Sequence, residues 1–124
     1  MGLFSYSNVS SFSIKGSPYV VYNNGVYKDT ADYVELIIAC KSTTIRFDTT
    51  KLGFMCFGGI KGITTIIIPK SVKQLGGSCF AHSDIDTIEY EGTKDQWETI
   101  IKDSTWNGFS NITKIICTDG EISL

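Results

Sequence analysis

The single histidine of the chain, His82, sits in the stretch FAHSD with Ser83 and Asp84 directly behind it. Serine, histidine and a carboxylate are the side chains of acyl transfer, but that chemistry needs them to converge, nucleophile on base and base on carboxylate. Three consecutive residues do not supply that geometry, so His82 is read as a solvated turn residue. Cys79, three positions earlier, could pair with His82 as a thiol nucleophile and its base. A repeat described below makes Cys79 the counterpart of Cys56 and assigns it to the core instead. Asp84, Asp86 and Glu89 cluster, yet calcium takes about six or more oxygens and no ligand loop surrounds these three. The glycine-rich stretches GGIKG at 58–62 and LGGS at 75–78 match neither the dinucleotide fingerprint nor the phosphate loop, and they are read as bends. No catalytic, cofactor-binding or metal-ligating residue is assigned. The chain is expected to act by contact and not as an enzyme.

Composition points the same way. With 124 residues and 42% hydrophobic content the chain is expected to form one domain with a real core. Eleven basic residues against thirteen acidic ones leave a net charge of −2, and no run of Lys or Arg occurs, which disfavours nucleic acid as a partner. No apolar stretch is long enough for membrane insertion. The opening MGLFSYSNVSSFSIKG lacks the charged start and apolar run of a signal peptide. Tyr6 stands where a myristoylation signal needs Ser or Thr. Read as written, the chain is expected in the cytoplasm at synthesis, with a virion as its possible destination and the cell surface as the alternative for a chain whose signal has been removed. In that setting the acceptor patterns at Asn8 and Asn111 carry no meaning, and Cys40, Cys56, Cys79 and Cys117, none in a Cys-x-x-Cys pair, are expected as reduced thiols.

A repeat indicates the elements that would make the contacts. Ile63, Thr65, Ile66 and Ile68 match Ile85, Thr87, Ile88 and Tyr90 at a spacing of 22 residues, while Leu52-Gly53, Cys56 and Phe57 match Leu75-Gly76, Cys79 and Phe80 at 23. The signature apolar-x-x-apolar-x-apolar recurs at Tyr33/Leu36/Ile38 and at Ile112/Ile115/Cys117, so rungs are expected near residues 33, 63, 85 and 112. Periods of about 20–29 residues with this pattern mark a leucine-rich-repeat solenoid, in which no unit buries its own apolar face and each stacks on its neighbours. Short parallel strands would lie about 4.8 Å apart, one per coil. Within a rung Ile66 and Ile68 face the core, Pro69 ends the strand, Val72 and Leu75 turn inward on the opposite wall, and Gly76-Gly77 permits a tight bend. Phe80 fills the centre. Cys56 and Cys79 then stack on adjacent coils, within disulfide reach but expected to be reduced.

The stretch ITTIIIPKSVKQLGGSCFAHSDIDTIEY resembles the BspA-like leucine-rich repeats, whose units run apolar-x-x-apolar-x-Ile-Pro, then Ser-Val, then Ile/Leu-Gly, then an apolar-Phe with a small polar turn. The tail YEGTKDQWETIIKDSTWN followed by ITKIICTDGEI is similar to the closing segment of that family, a Tyr-x-Gly-Thr-x-x-x-Trp helix and a Cys-Thr-Asp-Gly strand. The resemblance covers about residues 45–124, and Asp48-Thr49-Thr50 departs from it where Pro-x-Ser-Val is expected. It implies surface adhesion and recognition, the roles of most such proteins.

Thr93 to Gln96 forms a capping box, and Trp97, Ile100 and Ile101 are expected on one face of the helix that follows. Trp106 and Phe109 would add apolar cover below the last strand, so that residues 92–124 close the array. At the other end, Asn24-Gly25 between two aromatic and β-branched runs predicts a hairpin with a type I′ turn. Residues 1–32 are read as a hairpin or arm segment, either covering the open end of the solenoid or docking elsewhere through Phe4, Tyr6, Phe12, Tyr19 and Tyr22.

The expected fold is mainly β: a short leucine-rich-repeat-type solenoid over residues 33–124 with an N-terminal β-hairpin segment and a C-terminal helix-strand cap. The expected function is a non-catalytic structural or protein-interaction module with no cofactor, contacting a protein partner, a larger assembly or copies of itself. A small phage virion protein, associated with capsid or tail, is the first reading, and a cell-surface module binding host protein or glycan is the alternative. Outward strand positions Thr65, Ile67, Thr87, Glu89, Lys114 and Ile116 form the candidate contact face. Ile67 and Ile116 are costly to leave wet as a patch, so the N-terminal segment or a partner is expected to cover them.

Overall fold

The structure, a computed structural model that describes residues 11–13 and 16–124, arranges them in short strands and one short helix. In chain order these are β1 (Ser11–Ser13), β2 (Tyr19–Tyr22), β3 (Gly25–Asp29), β4 (Val34–Ile38), β5 (Lys51–Leu52), β6 (Thr65–Ile68), β7 (Gln74–Leu75), β8 (Thr87–Tyr90), α1 (Lys94–Thr99), β9 (Ile101–Lys102), β10 (Lys114–Cys117) and β11 (Gly120–Ser123). Two sheets result, one in the order β1-β2-β3-β4-β5-β7-β9 and one in the order β11-β10-β8-β6.

The four-stranded sheet follows from the period-2 pattern of each repeat. Ile66 and Ile68 point into the core and Thr65 and Ile67 point out. Parallel pairing then places Ile88 and Ile115 on Ile66, one buried residue per coil. The opposite wall is built from the two-residue strands β5, β7 and β9, with Leu52 and Leu75 stacked and fully buried. Corners join the ladder as well. The Phe57 amide donates to the Cys79 carbonyl at 2.8 Å, the Ser78 amide to Thr105 at 2.8 Å and the His82 amide to Phe109 at 2.8 Å, so backbone groups outside the strands are also paired between coils. Between the walls runs a file of aromatic rings. Phe57 stacks on Phe80 at 5.6 Å, Phe80 meets Trp106 edge-on at 6.5 Å, Trp106 meets Trp97 at 5.7 Å, and Trp97 meets Tyr90 at 5.3 Å.

The first expected rung takes a different place. Leu36 does not head the column of Ile66; β4 pairs with β5 and belongs to the other wall, with Leu36 opposite Leu52. The coil position 23 residues before Ile66 and Ile68 is held by Thr43 and Ile45, both buried, in a segment that is not itself a strand. A threonine at an inward position hides that coil from an apolar pattern. The same spacing sets Thr49 on Val72, both fully buried, which fixes the register of the Asp48-Thr49-Thr50 stretch.

The N-terminal hairpin forms, but its turn lies one residue earlier than Asn24-Gly25. Tyr22 pairs with Gly25, and the turn residues are Asn23 and Asn24, with φ of 46° and 62°, the positive values a type I′ turn requires at both positions. Gly25 sits in the strand, where a Cβ would approach Thr43, Tyr27 and Leu36 within 3.0–3.2 Å and so crowd the core. Strand β3 pairs antiparallel with β4, so the hairpin continues the longer sheet across the expected 32/33 boundary.

Tyr27 fixes that junction. Its ring is buried, its hydroxyl accepts from the Arg46 amide at 2.9 Å, and Arg46 reaches Asp29 at 2.8 Å and Asp48 at 2.6 Å. Hydrogen bonding to Arg46 holds the Asp48 carboxyl below the usual carboxylate range. Burial pushes the Tyr27 phenol up to about 12. Below the ordinary phenol value of about 10 both folded and unfolded chains keep the proton and the contribution is complete; from there to about 12 the unfolded chain ionises first, so stability falls as pH rises. Urea midpoints measured from pH 8 to 12 are expected to drop above about pH 10, less steeply in Tyr27→Phe. An identical slope in that variant would show that Tyr27 is not the linked group.

At the C-terminus the capping box is complete: Gln96 N–H donates to Thr93 Oγ1 at 3.1 Å, and Thr93 N–H to Gln96 Oε1 at 2.8 Å. Trp97 and Ile100 are buried as expected. Ile101 is not on the helix. The helix stops at Thr99, and Ile101 lies in β9 with 69% of its surface exposed, because the two-residue strand faces Lys102 inward in the ladder. Phe109 is no cover for the last strand either. It takes φ of 54° at a corner, stands 81% exposed and stacks on His82 at 5.5 Å.

Candidate functional site

The register of the four-stranded sheet brings all six expected contact residues onto one outer face. Thr65, Thr87 and Lys114 align in one row, and Ile67, Glu89 and Ile116 align in the next. Strand β11 extends the rows with Ser123 and Glu121. Parallel hydrogen bonding fixes the backbone beneath these side chains, so the face is a preformed platform. Thr65 and Glu89 are exposed, Ile67 is 50% exposed, and Thr87, Lys114 and Ile116 are half-buried.

The platform is amphipathic. Glu89 stands between Ile67 and Ile116, so the two isoleucines flank a carboxylate and do not merge into one apolar patch. A shallow groove crosses here, lined by Ile67, Glu89, Tyr90, Glu91, Ile116, Cys117 and Thr118. Burial, followed by the nearby Asp119 carboxylate, raises the Cys117 thiol and keeps it neutral. Burial likewise raises the Tyr90 phenol, whose buried hydroxyl has no hydrogen-bond partner among the described residues. Sequence reading placed Tyr90 in the core as a repeat residue and gave no sign of this hydroxyl. The described strands of the N-terminal segment sit in the other sheet, so they leave this face uncovered.

Of the arm residues, Phe4 and Tyr6 lie outside the described residues, and Phe12 pairs with Val21 in β1. Tyr19 and Tyr22 are on the surface and already engaged by cations of the same chain: Lys28 Nζ stands 6.0 Å from the Tyr19 ring, and the Arg46 guanidinium 5.8 Å from the Tyr22 ring.

The residues with catalytic chemistry do not converge. His82 is exposed at a corner, Ser83 is buried and donates to the Phe80 carbonyl at 2.7 Å, and Asp84 accepts from the Gly62 amide at 2.9 Å on the preceding coil. The Cys79 thiol donates to the Gly76 carbonyl at 3.0 Å from a fully buried position. Cys56 is equally shut in, and burial together with the neighbouring Cys79 raises its thiol. Among the described residues no group of three or more His, Cys, Asp or Glu side chains gathers around a metal position, and no helix is long and apolar enough to cross a membrane.

Residues 33–123, 91 of the 124, match the family described as BspA type leucine rich repeat region (6 copies). The chain belongs to that family. No curated protein and no solved structure matches it. The BspA-type match begins at residue 33, so it takes in β4 as well as the stretch from 45 onward. Repeats of this family are typically non-catalytic and generally serve protein interaction, in agreement with a platform that offers shape, two isoleucines and a few charges. In this BspA-type array the rows Thr65/Thr87/Lys114 and Ile67/Glu89/Ile116 are the part of the surface that the repeat itself generates.

Proposed function

We propose that this BspA-type repeat module binds a protein partner through the outer face of the four-stranded sheet, with Ile67 and Ile116 as apolar contacts on either side of Glu89. The observation that supports the reading is the two-row platform, rigid by its ladder and bearing a half-exposed isoleucine that nothing described in the chain covers. The setting we favour is a small assembly or decoration protein of a phage particle; a surface module recognising host protein or glycan is the alternative.

Photo-crosslinking tests the face. A photoreactive residue in place of Glu89 is expected to give discrete protein adducts, and one in place of Gln74, on the opposite wall, to give none. Adducts of equal yield at both positions, or at neither, would overturn the assignment. The adduct's identity separates the settings: a particle protein for the first, a host surface protein for the second. Ile67→Thr with Ile116→Thr, which keeps the strand preference and adds no charge beside Glu89, should lose the adduct while the unfolding midpoint stays close to that of the parent.

A further inference from the structure

The platform groove continues past the ends of its strands. Glu91, which lines it beside Glu89 and directly follows β8, also lines a second groove with Phe47, Pro69, Lys70, Lys73 and Gln96. The two grooves therefore meet at one residue, and their charges differ. On the platform side Glu89 and Glu91 are exposed, and Lys114, the cation of that face, stands in the other row and does not line the groove. In the second groove Lys70 and Lys73 are exposed, with Lys73 Nζ donating to the Lys70 carbonyl at 3.2 Å. None of these two carboxylates and two lysines enters an ion pair among the described residues, where Arg46 holds Asp29 and Asp48 and Lys61 faces Asp84. Phe47 supplies the apolar part of the second groove. Its ring is 80% exposed, yet its backbone is held to the next coil, because its carbonyl accepts from Ser71 Oγ at 2.8 Å and the same hydroxyl reaches the Thr49 carbonyl at 2.7 Å.

We propose that the protein partner enters these joined grooves as one extended segment, with a basic side chain on Glu89 and Glu91, an apolar one on Phe47 and an acidic one on Lys70 and Lys73. Charge complementarity identifies the occupant. Carboxylates at one side and ammonium groups at the other, unpaired within the described chain, take their opposites from the segment, and a segment of the reverse order sets like charges together. Arginine suits the acidic side best: its planar fork matches a carboxylate, and its apolar stem can lie along Ile67 or Ile116, which flank Glu89. This deepens the platform reading and rests on it, naming the chemistry of the partner and a second stretch of surface that the same partner must touch.

Photo-crosslinking of the full chain tests it, in the protein sample used for the Glu89 position. Benzoylphenylalanine in place of Phe47 is expected to trap the same partner as the Glu89 position, within about ten residues of that adduct, a span of at most roughly 36 Å for an extended segment. Mass-spectrometric sequencing of the trapped stretch should show Arg or Lys at the Glu89 adduct and Asp or Glu at the Phe47 adduct. Lys70→Gln with Lys73→Gln is expected to lower the adduct yield at the Glu89 position at least threefold while the urea midpoint stays that of the parent. An adduct at the Glu89 position with none at Phe47, or with a Phe47 adduct on another protein, a distant segment or a second copy of this chain, would overturn the joined path and leave the platform reading standing. So would a trapped stretch whose charges run in the reverse order, or a yield that the lysine variant leaves unchanged. No adduct at either position would overturn both.

Discussion

Phe80→Ala is expected to lower the free energy of unfolding by about 3–5 kcal/mol, the range for removing a large aromatic from a packed core. The ring is fully buried, stacks on Phe57 of the preceding coil and meets Trp106 of the next edge-on. It is therefore the link through which three coils share one aromatic file, and its loss opens a cavity that neither neighbour can close without leaving its own partner. The ladder on both sides, with Phe57 N–H on the Cys79 carbonyl at 2.8 Å, holds the coils at fixed spacing and limits collapse into the gap. Urea unfolding followed by tryptophan fluorescence reads the loss, since Trp106 reports on the same contact. His82→Ala, two residues on, is the control: an exposed ring stacked on an exposed Phe109 is worth no more than about 1 kcal/mol. Equal losses in the two variants would mean that Phe80 is not a core residue of this solenoid.

The parts of the fold legible from sequence are those written by side-chain polarity. Ile66, Ile68, Ile88 and Ile115 hold alternate, inward strand positions; the 22-residue spacing relates Ile66 to Ile88, the recurring apolar-x-x-apolar-x-apolar signature places Ile115, and the outward rows follow from the same alternation. The first coil was hidden because Thr43 and Thr49 occupy buried positions that Ile66 and Val72 hold one coil later. Tyr33, Leu36 and Ile38 matched the repeat signature by spacing alone, but burial alternates through Val34 and Leu36, and pairing with β3 draws β4 into the other wall. Two exposed apolar residues, Phe109 at a corner and Ile101 in β9, resemble core by type, and only the left-handed backbone at one and the strand phase at the other turn them out. For the contact face, strand phase placed all six residues, whereas the groove beside them depends on Tyr90, Cys117 and Thr118, which become neighbours only through the ladder.

Gly76→Ala separates two explanations of the Gly76-Gly77 pair. Read from sequence, the pair is a bend that needs unusual dihedrals, yet neither glycine has a positive φ, whereas Met55 and Ser78 at the same corner do. What Gly76 supplies is room. A Cβ there would lie 2.9 Å from the carbonyl carbon of Gly53, 2.9 Å from the Phe54 amide nitrogen and 3.0 Å from the Leu52 carbonyl oxygen, all backbone of the preceding coil. Gly53 repeats the arrangement one coil earlier, with the Leu36 carbonyl oxygen 2.9 Å from its own virtual Cβ. Backbone cannot move aside as a side chain does, so alanine must push the coils apart and strain the bond from the Gly76 amide to the Leu52 carbonyl, now 2.8 Å. Overpacking of this kind costs about 1–3 kcal/mol, and a weakened ladder bond adds about 1 kcal/mol, so a loss of about 3 kcal/mol is expected. Gly59→Ala makes the opposite case: φ is +75° and nothing lies within 4 Å of its virtual Cβ, so only backbone strain of about 1 kcal/mol applies. Hydrogen exchange at the Gly76 amide should accelerate in Gly76→Ala and stay slow in Gly59→Ala. If Gly76→Ala unfolds within about 0.5 kcal/mol of the parent, the coils are not in the close contact that Gly53 and Gly76 share.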